Sequence, residues 1–133
     1  MAGPSCYGAL RMTERVEGSC HCGTVRLNVP WLGRWDSVRR CDCSFCRRRF
    51  VAVASVPVGD LQVHDPDGAL TLYQFGTRTA EHYFCSRCGI YTHHRRRSNP
   101  SEFGVNIACF PGTDVRLNLD VPVDDGIAHP NDR

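Results

Sequence analysis

Short alternations of apolar and polar residues recur along this chain, and Pro, Gly or Asp ends most of them. Val25, Leu27 and Val29 are separated by single polar residues, which predicts a half-buried strand over 24–29. Similar patterns predict strands over 50–56, 61–64, 70–75, 81–84, 90–94, 103–109 and 115–119. A hairpin connection is expected at 76–79, between two of these strands.

Helical patterns are short in this sequence. Residues 38–46 could hold one or two helical turns, and no longer stretch has helical period. We therefore predict an all-β fold of about eight strands with little helix, in which the cysteine-rich segments lie at strand ends. The first 14 residues lack periodicity and are expected to form a loose N-terminal arm, so that residues 15–133 form a single domain.

Seven of the nine cysteines lie in three short clusters, which are CHC at 20–22, CDCSFC at 41–46 and CSRC at 85–88. The N-terminal residues contain no continuous apolar segment of a secretory signal. No apolar run approaches the roughly 18 residues that span a membrane. A cysteine-rich chain of this kind is typical of a reducing compartment, where thiols bind metal rather than form disulfides. We therefore expect a cytoplasmic protein that is not in a membrane.

Counting ligands divides the seven cysteines into two zinc sites. A closed structural site with four thiolates is expected from Cys20, Cys22, Cys85 and Cys88. A second zinc would bind three thiolates, with water or substrate in its fourth position, and these thiolates are Cys41, Cys43 and Cys46.

An alternative is that both sites are structural and that a protein side chain fills the fourth position of the second site. The candidates for that ligand are His82, His93, His94 and Cys109. An iron–sulfur centre is less favoured, because a group of three cysteines lacks the fourth thiolate that such clusters use.

Charge is close to balanced, with a formal net charge of +2 before any metal–thiolate site is counted. Nucleic acid is therefore not expected as a partner, although RRR occurs at 47–49 and again at 95–97. One triplet directly follows the second cysteine cluster and the other comes soon after the third, and both are expected to flank the second zinc. Arg47, Arg48 and Arg95 are therefore candidates for holding the carboxylates of a ligand. His94 is a candidate for a polar pocket beside them. The alternative is that the triplets are solvated basic surface.

Two cysteines lie outside the clusters. Cys109 is in phase with Val105 and is expected to be a buried core thiol, with a reactive thiol as the alternative. Cys6 falls in the loose arm and is expected to have no role. Gly23 and Gly89 each follow a cysteine pair, where a positive φ would turn backbone N–H groups toward thiolate sulfurs.

The cysteine motifs resemble those of one known family. GSCHCG at 18–23, CDCSFCRR at 41–48 and FCSRCGI at 84–90 are similar to the motifs of the glutathione-dependent formaldehyde-activating enzymes, a family that includes centromere protein V relatives. The resemblance continues through THHRRRS at 92–98 and GVNIAC at 104–109, and it reaches DG at 125–126 and HP at 129–130.

The resemblance implies a β-tent fold, built of small antiparallel sheets pinned by zinc and shared with methionine sulfoxide reductase B. It also implies that Cys41, Cys43 and Cys46 are catalytic. The family's reaction is the addition of glutathione to formaldehyde, which gives S-hydroxymethylglutathione, and it is classed as a carbon–sulfur lyase for the reverse direction. Glutathione and an aldehyde are therefore the expected partners, with two zinc ions per chain as cofactors.

Three functions are compatible with these features. The first is a zinc-dependent lyase, in which a zinc-bound glutathione thiolate attacks the aldehyde carbon. The second is a non-enzymatic zinc module that binds glutathione, another thiol or a protein partner. The third is a thiol reductase that uses Cys109, for which only Cys6 would remain as a resolving cysteine. The rings of Phe45 and Phe50 lie beside the second cluster in sequence and are expected either to shape a ligand pocket or to join the core.

Overall fold

Short strands joined by tight turns make up most of the regular structure. The structure is a computed structural model and describes residues 14–113, 122–124, 126, 128 and 130. In chain order its elements are β1 (Arg15–Ser19), β2 (Arg26–Pro30), β3 (Arg40–Cys41), α1 (Cys46–Arg49), β4 (Val53–Pro57), β5 (Gln62–His64), β6 (Leu70–Tyr73), β7 (Glu81–Cys85), β8 (Tyr91–Arg95), β9 (Glu102–Asn106) and β10 (Val123–Asp124). Two 3-10 turns cover Val58–Asp60 and Ile107–Cys109.

These strands form three sheets. A five-stranded antiparallel sheet has the order β4-β9-β8-β7-β6, and a three-stranded antiparallel sheet has the order β1-β2-β5. The prediction of an all-β fold of small antiparallel sheets with little helix is confirmed. One pair departs from it, because β3 and β10 run parallel and pair Arg40 with Val123. A parallel pair needs a long connection, and here the rest of the domain supplies it.

A cluster of buried apolar side chains joins the two larger sheets. Val25, Leu27 and Val29 are at most 1% exposed and project from one face of β2 and the residue before it, as their alternation predicts. Ala54 of β4 and Val105 of β9 belong to the same cluster from the five-stranded sheet. Burial of these side chains is the main force that holds the sheets together.

The predicted strand over 103–109 is wrong at its C-terminal end. β9 stops at Asn106, and the side-chain oxygen of Asn106 accepts a hydrogen bond from the Ala108 N–H at 3.1 Å. Asparagine commonly offers the backbone this local alternative to a strand ladder. Ile107 remains buried within the 3-10 turn, which explains why the apolar alternation continued past the strand.

Other boundaries also differ from the sequence patterns. β4 begins at Val53 rather than at residue 50, because Phe50 has φ 53° and ends α1 in the left-handed region. The helical turn expected within 38–46 lies at Cys46–Arg49. β1 is an additional strand whose mostly polar sequence gave no alternation, and it is held by pairing with β2. The expected strand at 115–119, Cys6 and His129 lie outside the described residues.

Candidate functional site

The four cysteines of the predicted closed site lie together. Cys20 and Cys22 follow β1, whereas Cys85 ends β7 and Cys88 lies in the turn before β8. Their four sulfur atoms all lie within 4.8 Å of one another. The Cys20 and Cys22 sulfurs are 3.6 Å apart, and the Cys22 and Cys85 sulfurs are 3.7 Å apart. Sulfurs bound tetrahedrally at about 2.3 Å from one zinc would be about 3.8 Å apart, so this donor set fits the metal.

Two similar turns orient these sulfurs. The N–H of Gly23 bonds to the Cys20 carbonyl at 3.2 Å, and the N–H of Gly89 bonds to the Cys85 carbonyl at 2.7 Å. Gly23 and Gly89 have φ values of 82° and 79°, which glycine adopts without steric cost, as their sequence positions predict. The backbone N–H of Val25 points at the Cys20 sulfur at 3.4 Å. This contact helps to orient the Cys20 sulfur.

The three remaining cluster cysteines form a second group with a local origin. Cys41 ends β3, Cys43 lies in the following loop and Cys46 begins α1. Their sulfurs also lie within 4.8 Å of one another. Hydrogen bonds from Cys41 and Cys46 lower the pKa of Cys43 well below its usual value, and the contact with Cys43 raises the pKa of Cys41. The backbone N–H of Cys46 adds a bond to the Cys43 sulfur at 3.2 Å.

No fourth ligand joins this group within the described part of the chain. His82, His93, His94 and Cys109 were the candidates, and none of them brings a ligand atom within 4.8 Å of all three sulfurs. The three sulfurs of this group line a cavity instead.

The C-terminal segment forms one wall of the three-cysteine group. A methyl group at Gly126 would lie 2.6 Å from the Cys41 sulfur and 2.7 Å from the Cys43 Cβ, so only glycine fits there. The Gly126 N–H bonds to the Asp42 carboxylate, and the Asp42 N–H bonds to the Asp124 carbonyl at 3.1 Å. Residue spacing in the sequence does not predict that Gly126 contacts Cys41 and Cys43, although the family resemblance extends to this glycine.

The cavity beside the three sulfurs has a volume of about 270 Å³. Val53, Phe75 and Ala80 contribute apolar surface to it. Its polar and charged lining consists of Arg39, His82, His94, Arg96, Arg97, Ser98 and Asp124. The site therefore combines three sulfurs, a partly apolar wall and a set of guanidinium groups.

The two histidines of this cavity are uncharged at neutral pH. Their rings stack with centroids 5.4 Å apart, and His82 is 4% exposed. Burial, together with the nearby Arg49 guanidinium, lowers the pKa of His82 to about 4. Burial and the neighbouring His82 lower the pKa of His94 well below its usual value. The hydroxyl of Tyr91 shares a hydrogen bond with Nδ1 of His94, which fixes the ring.

An arginine that the sequence reasoning passed over contacts the three-cysteine group. Arg49 donates from Nη2 to the Cys46 sulfur at 3.2 Å. Its guanidinium lies 3.5 Å from the ring centroid of Tyr91 and 4.3 Å from that of Phe45. Cation–π contacts of this length hold the guanidinium against the sulfur.

Of the four residues predicted to bind substrate, His94 lines the cavity. Arg47 and Arg48 are exposed on α1, where Arg48 bonds to the Ser44 carbonyl. Arg95 donates to the Pro100 carbonyl at 2.8 Å. Neither these three arginines nor Phe50, which is 67% exposed, belongs to the described lining of the cavity. Phe45 packs instead in an aromatic cluster with Tyr73, Phe75 and His82.

Cys109 is partly buried against the core and its sulfur lies 3.6 Å from the Tyr91 carbonyl. Burial, with added repulsion from Cys20 and Cys88, raises its pKa to about 11. A thiol that stays protonated at neutral pH is a poor nucleophile. None of the helices in the described residues has the length and apolar character of a membrane span.

Comparisons with known proteins identify relatives of this chain. A protein of Halomonas elongata, named "Putative glutathione-dependent formaldehyde-activating enzyme", is 35% identical over 82 residues, which cover 55% of this chain and 51% of that protein. The match thus spans about half the length of this curated relative. The crystal structure of a Rhodobacter sphaeroides protein is 54% identical, with a TM-score of 0.75, and the match covers 80% of this chain and 98% of that one.

A family comparison also covers most of the chain. Residues 15–119 match the family described as glutathione-dependent formaldehyde-activating enzyme, and this range includes all seven cluster cysteines. The matched range begins with the first residue of β1 and takes in β2 to β9. The chain belongs to the glutathione-dependent formaldehyde-activating enzyme family.

Proposed function

We propose that this chain is a zinc-dependent carbon–sulfur lyase that forms and cleaves S-hydroxymethylglutathione, the adduct of glutathione and formaldehyde. The observation that carries the proposal is the group of three cysteine sulfurs facing a cavity. Three protein ligands with an open position are the usual plan of a catalytic zinc. Membership of the family supports glutathione and formaldehyde as the substrates.

Both cysteine groups have the chemistry of zinc sites. Thiolates are soft donors that favour zinc, and the sulfur separations in the four-cysteine group match tetrahedral zinc. In this proposal Cys20, Cys22, Cys85 and Cys88 hold a structural ion, and Cys41, Cys43 and Cys46 hold a catalytic ion. A zinc with an open position favours the thiolate form of a thiol that binds there at neutral pH.

The residues around the three cysteines have distinct roles in the proposal. Gly126 closes the site from the C-terminal side and leaves no room for a side chain against Cys41 and Cys43. Phe75 and Val53 exclude water from part of the cavity. His82 and His94 are neutral, so they add no positive charge next to the site and do not compete as cations for an anionic ligand.

The reaction itself is an addition without redox change. The glutathione sulfur forms a bond to the formaldehyde carbon, the C=O π pair moves to oxygen, and the thiol proton ends on that oxygen. The reverse reaction breaks the carbon–sulfur bond and returns the proton to sulfur.

We also propose that residues 15–133 act as one domain in the cytoplasm. The buried cluster shared by the two larger sheets supports a single domain. The free thiols and the clustered cysteines support a reducing compartment.

The test is exchange NMR on a mixture of glutathione and formaldehyde, with and without the zinc-loaded protein. Acceleration of exchange is expected, and Cys43→Ser should abolish it while the zinc content falls from two ions to one. Cys109→Ser is the matched control, because Cys109 lies outside both cysteine groups, and it should keep full acceleration. Two bound zinc ions without acceleration would reject the lyase and leave a zinc module that binds thiols. Reduction of a disulfide substrate that is lost in Cys109→Ser and kept in Cys43→Ser would support the thiol reductase instead.

A further inference from the structure

The three arginines that line the cavity differ in whether they pair with other protein groups, and they are Arg39, Arg96 and Arg97. Arg39 is 8% exposed, and its Nε lies 2.9 Å from the Asp124 carboxylate. Arg39 also donates to the Ser55 hydroxyl at 2.9 Å and to the Ser37 carbonyl at 2.8 Å. Its donors are therefore committed to the protein.

Arg96 is committed in the same way. Its Nη1 lies 2.5 Å from the Glu102 carboxylate, and its backbone N–H bonds to the Glu102 carbonyl at 3.1 Å. Arg97, in contrast, follows β8 at the cavity and makes no ion pair or hydrogen bond with any residue that the structure describes. Arg97 and His82 line the same cavity. Among the lining residues that the structure describes, Arg97 therefore has the guanidinium group that is available for a ligand.

We propose that Arg97 is the carboxylate-binding residue of this site and that it selects thiols through the glycyl carboxylate of glutathione. The identity of the thiol rests on the proposed function, whereas the preference for an anionic ligand rests on Arg97 itself. A planar guanidinium can bind a carboxylate with two parallel hydrogen bonds, which gives direction as well as charge.

The size of the cavity favours the glycyl end over the γ-glutamyl end. About 270 Å³ is at the small end of ligand cavities and does not enclose a whole tripeptide beside three sulfurs. The glycyl carboxylate is separated from the thiol by fewer bonds than the γ-glutamyl carboxylate, so it is the one that can share the cavity with the sulfur.

Charge favours the same end. The γ-glutamyl carboxylate is attached to a carbon that also bears an ammonium group, so that end has no net charge. Arg97 would repel the ammonium group, since the charges of Arg39 and Arg96 are paired with Asp124 and Glu102, while the glycyl carboxylate has no cation beside it. We therefore expect the γ-glutamyl end to project out of the cavity into solvent.

Kinetics with modified thiols test the proposal. In the exchange assay, Arg97→Gln should raise the KM for glutathione about tenfold, the size expected from the loss of one charged hydrogen-bonded contact. The maximal rate should change little, because the contact is present both before and during the reaction. With the unmodified protein, glutathione esterified at its glycyl carboxyl should also have a KM about tenfold higher than that of glutathione. In Arg97→Gln the ester and unmodified glutathione should have similar KM values, since the substitution and the ester remove the same contact.

Two further variants separate this residue from its neighbours. Arg26→Gln, in the three-stranded sheet, removes a surface arginine that does not belong to the described lining of the cavity and should leave KM unchanged. Arg95→Gln tests the alternative from sequence, because Arg95 precedes the cavity arginines and bonds to the Pro100 carbonyl. A rise in KM with Arg95→Gln and not with Arg97→Gln would overturn the proposal, as would equal KM values for glutathione and its glycyl ester.

A binding measurement keeps this inference separate from the lyase proposal. S-methylglutathione has both carboxylates but no free thiol, so its binding, followed by NMR titration, does not depend on catalysis. Binding weakened about tenfold in Arg97→Gln, without any accelerated exchange in the unmodified protein, would reject the lyase and support the Arg97 site. Accelerated exchange, with the same binding and the same KM in Arg97→Gln as in the unmodified protein, would support the lyase and reject the Arg97 site.

Discussion

The two cysteine groups use the same ligand type but differ in where their ligands originate. The four-cysteine group joins the end of β1 to the β7–β8 turn, and Cys22 and Cys85 are 63 positions apart. It therefore connects the three-stranded sheet to the five-stranded sheet. The three-cysteine group takes all its ligands from residues 41–46. A metal at the first group closes a long loop, whereas a metal at the second closes only a short one.

The surroundings of the two groups differ as well. Backbone N–H groups and tight glycine turns orient the sulfurs of the four-cysteine group. Side chains and the C-terminal segment surround the three-cysteine group, with Arg49 against Cys46 and Gly126 against Cys41. We therefore propose that the four-cysteine group serves the fold and that the three-cysteine group can be altered without loss of the fold.

The largest difference should appear on removal of one sulfur from each group. Cys85→Ser is expected to cost more than about 4 kcal/mol of unfolding free energy and to leave the protein largely unfolded, because it removes a ligand that joins the two sheets. Cys41→Ser should cost only about 1–2 kcal/mol. Urea unfolding in excess zinc, followed by circular dichroism, measures both. Equal losses in the two variants would contradict the division into structural and open sites.

Chelation should separate the two groups in the unmodified protein. A zinc chelator is expected to remove one ion of two readily, because three thiolates hold zinc less firmly than four and leave a position open to the competing ligand. The remaining ion should leave only as the chain unfolds. Metal analysis and circular dichroism after stepwise dialysis would show this. Loss of both ions in one step would mean that the groups are equivalent.

Gly126→Ala should weaken the open site selectively. The added methyl group would overlap the Cys41 sulfur and displace the C-terminal segment, so a fall in zinc affinity of about tenfold to a hundredfold is expected at this site. Gly59→Ala is the matched control, because a methyl group there meets nothing within 4 Å. Zinc competition titrations would measure the affinities. Unchanged affinity in Gly126→Ala would show that the C-terminal segment does not support the metal site.

Much of this comparison was accessible from the sequence. The alternation at 24–29 identified a buried strand face, and the cysteine spacing divided the ligands into four and three. Both inferences depend on local periodicity and ligand number, which a sequence displays directly. The role of Gly126 depends on a contact with Asp42 across 84 positions, for which no local pattern exists.

The positions of the arginines could be predicted only in part from the sequence. Arg47 and Arg48 were the predicted substrate ligands, but Arg49 is the residue that meets Cys46. Since α1 begins at Cys46, the residue three positions later returns to the same side of the helix. This was derivable once the start of the helix was known. Arg95 likewise follows His94 by one position in β8, and neighbouring residues of a strand project from opposite faces.

The smallest expected effect concerns Arg49. It tests whether side chains support metal binding in the three-cysteine group as backbone donors do in the four-cysteine group. Arg49→Gln removes a positive charge that lies 3.2 Å from the Cys46 sulfur. Less positive charge would then remain beside the three negatively charged thiolates. Loss of a group that orients a metal ligand typically lowers affinity at least tenfold, and we expect about tenfold at the second zinc with no change at the first.

Arg48→Gln is the control for this prediction, because Arg48 lies on the same helix but is exposed and bonds to the Ser44 carbonyl. Competition with a chromophoric chelator would measure both variants. Arg49→Lys adds a sharper test, since a lysine keeps the charge but not the planar group that lies between Tyr91 and Phe45. Recovery of affinity in Arg49→Lys would assign the effect to charge, whereas its absence would assign it to the stacked geometry. Equal zinc affinities in Arg49→Gln and Arg48→Gln would show that the three sulfurs hold the metal without help from this arginine.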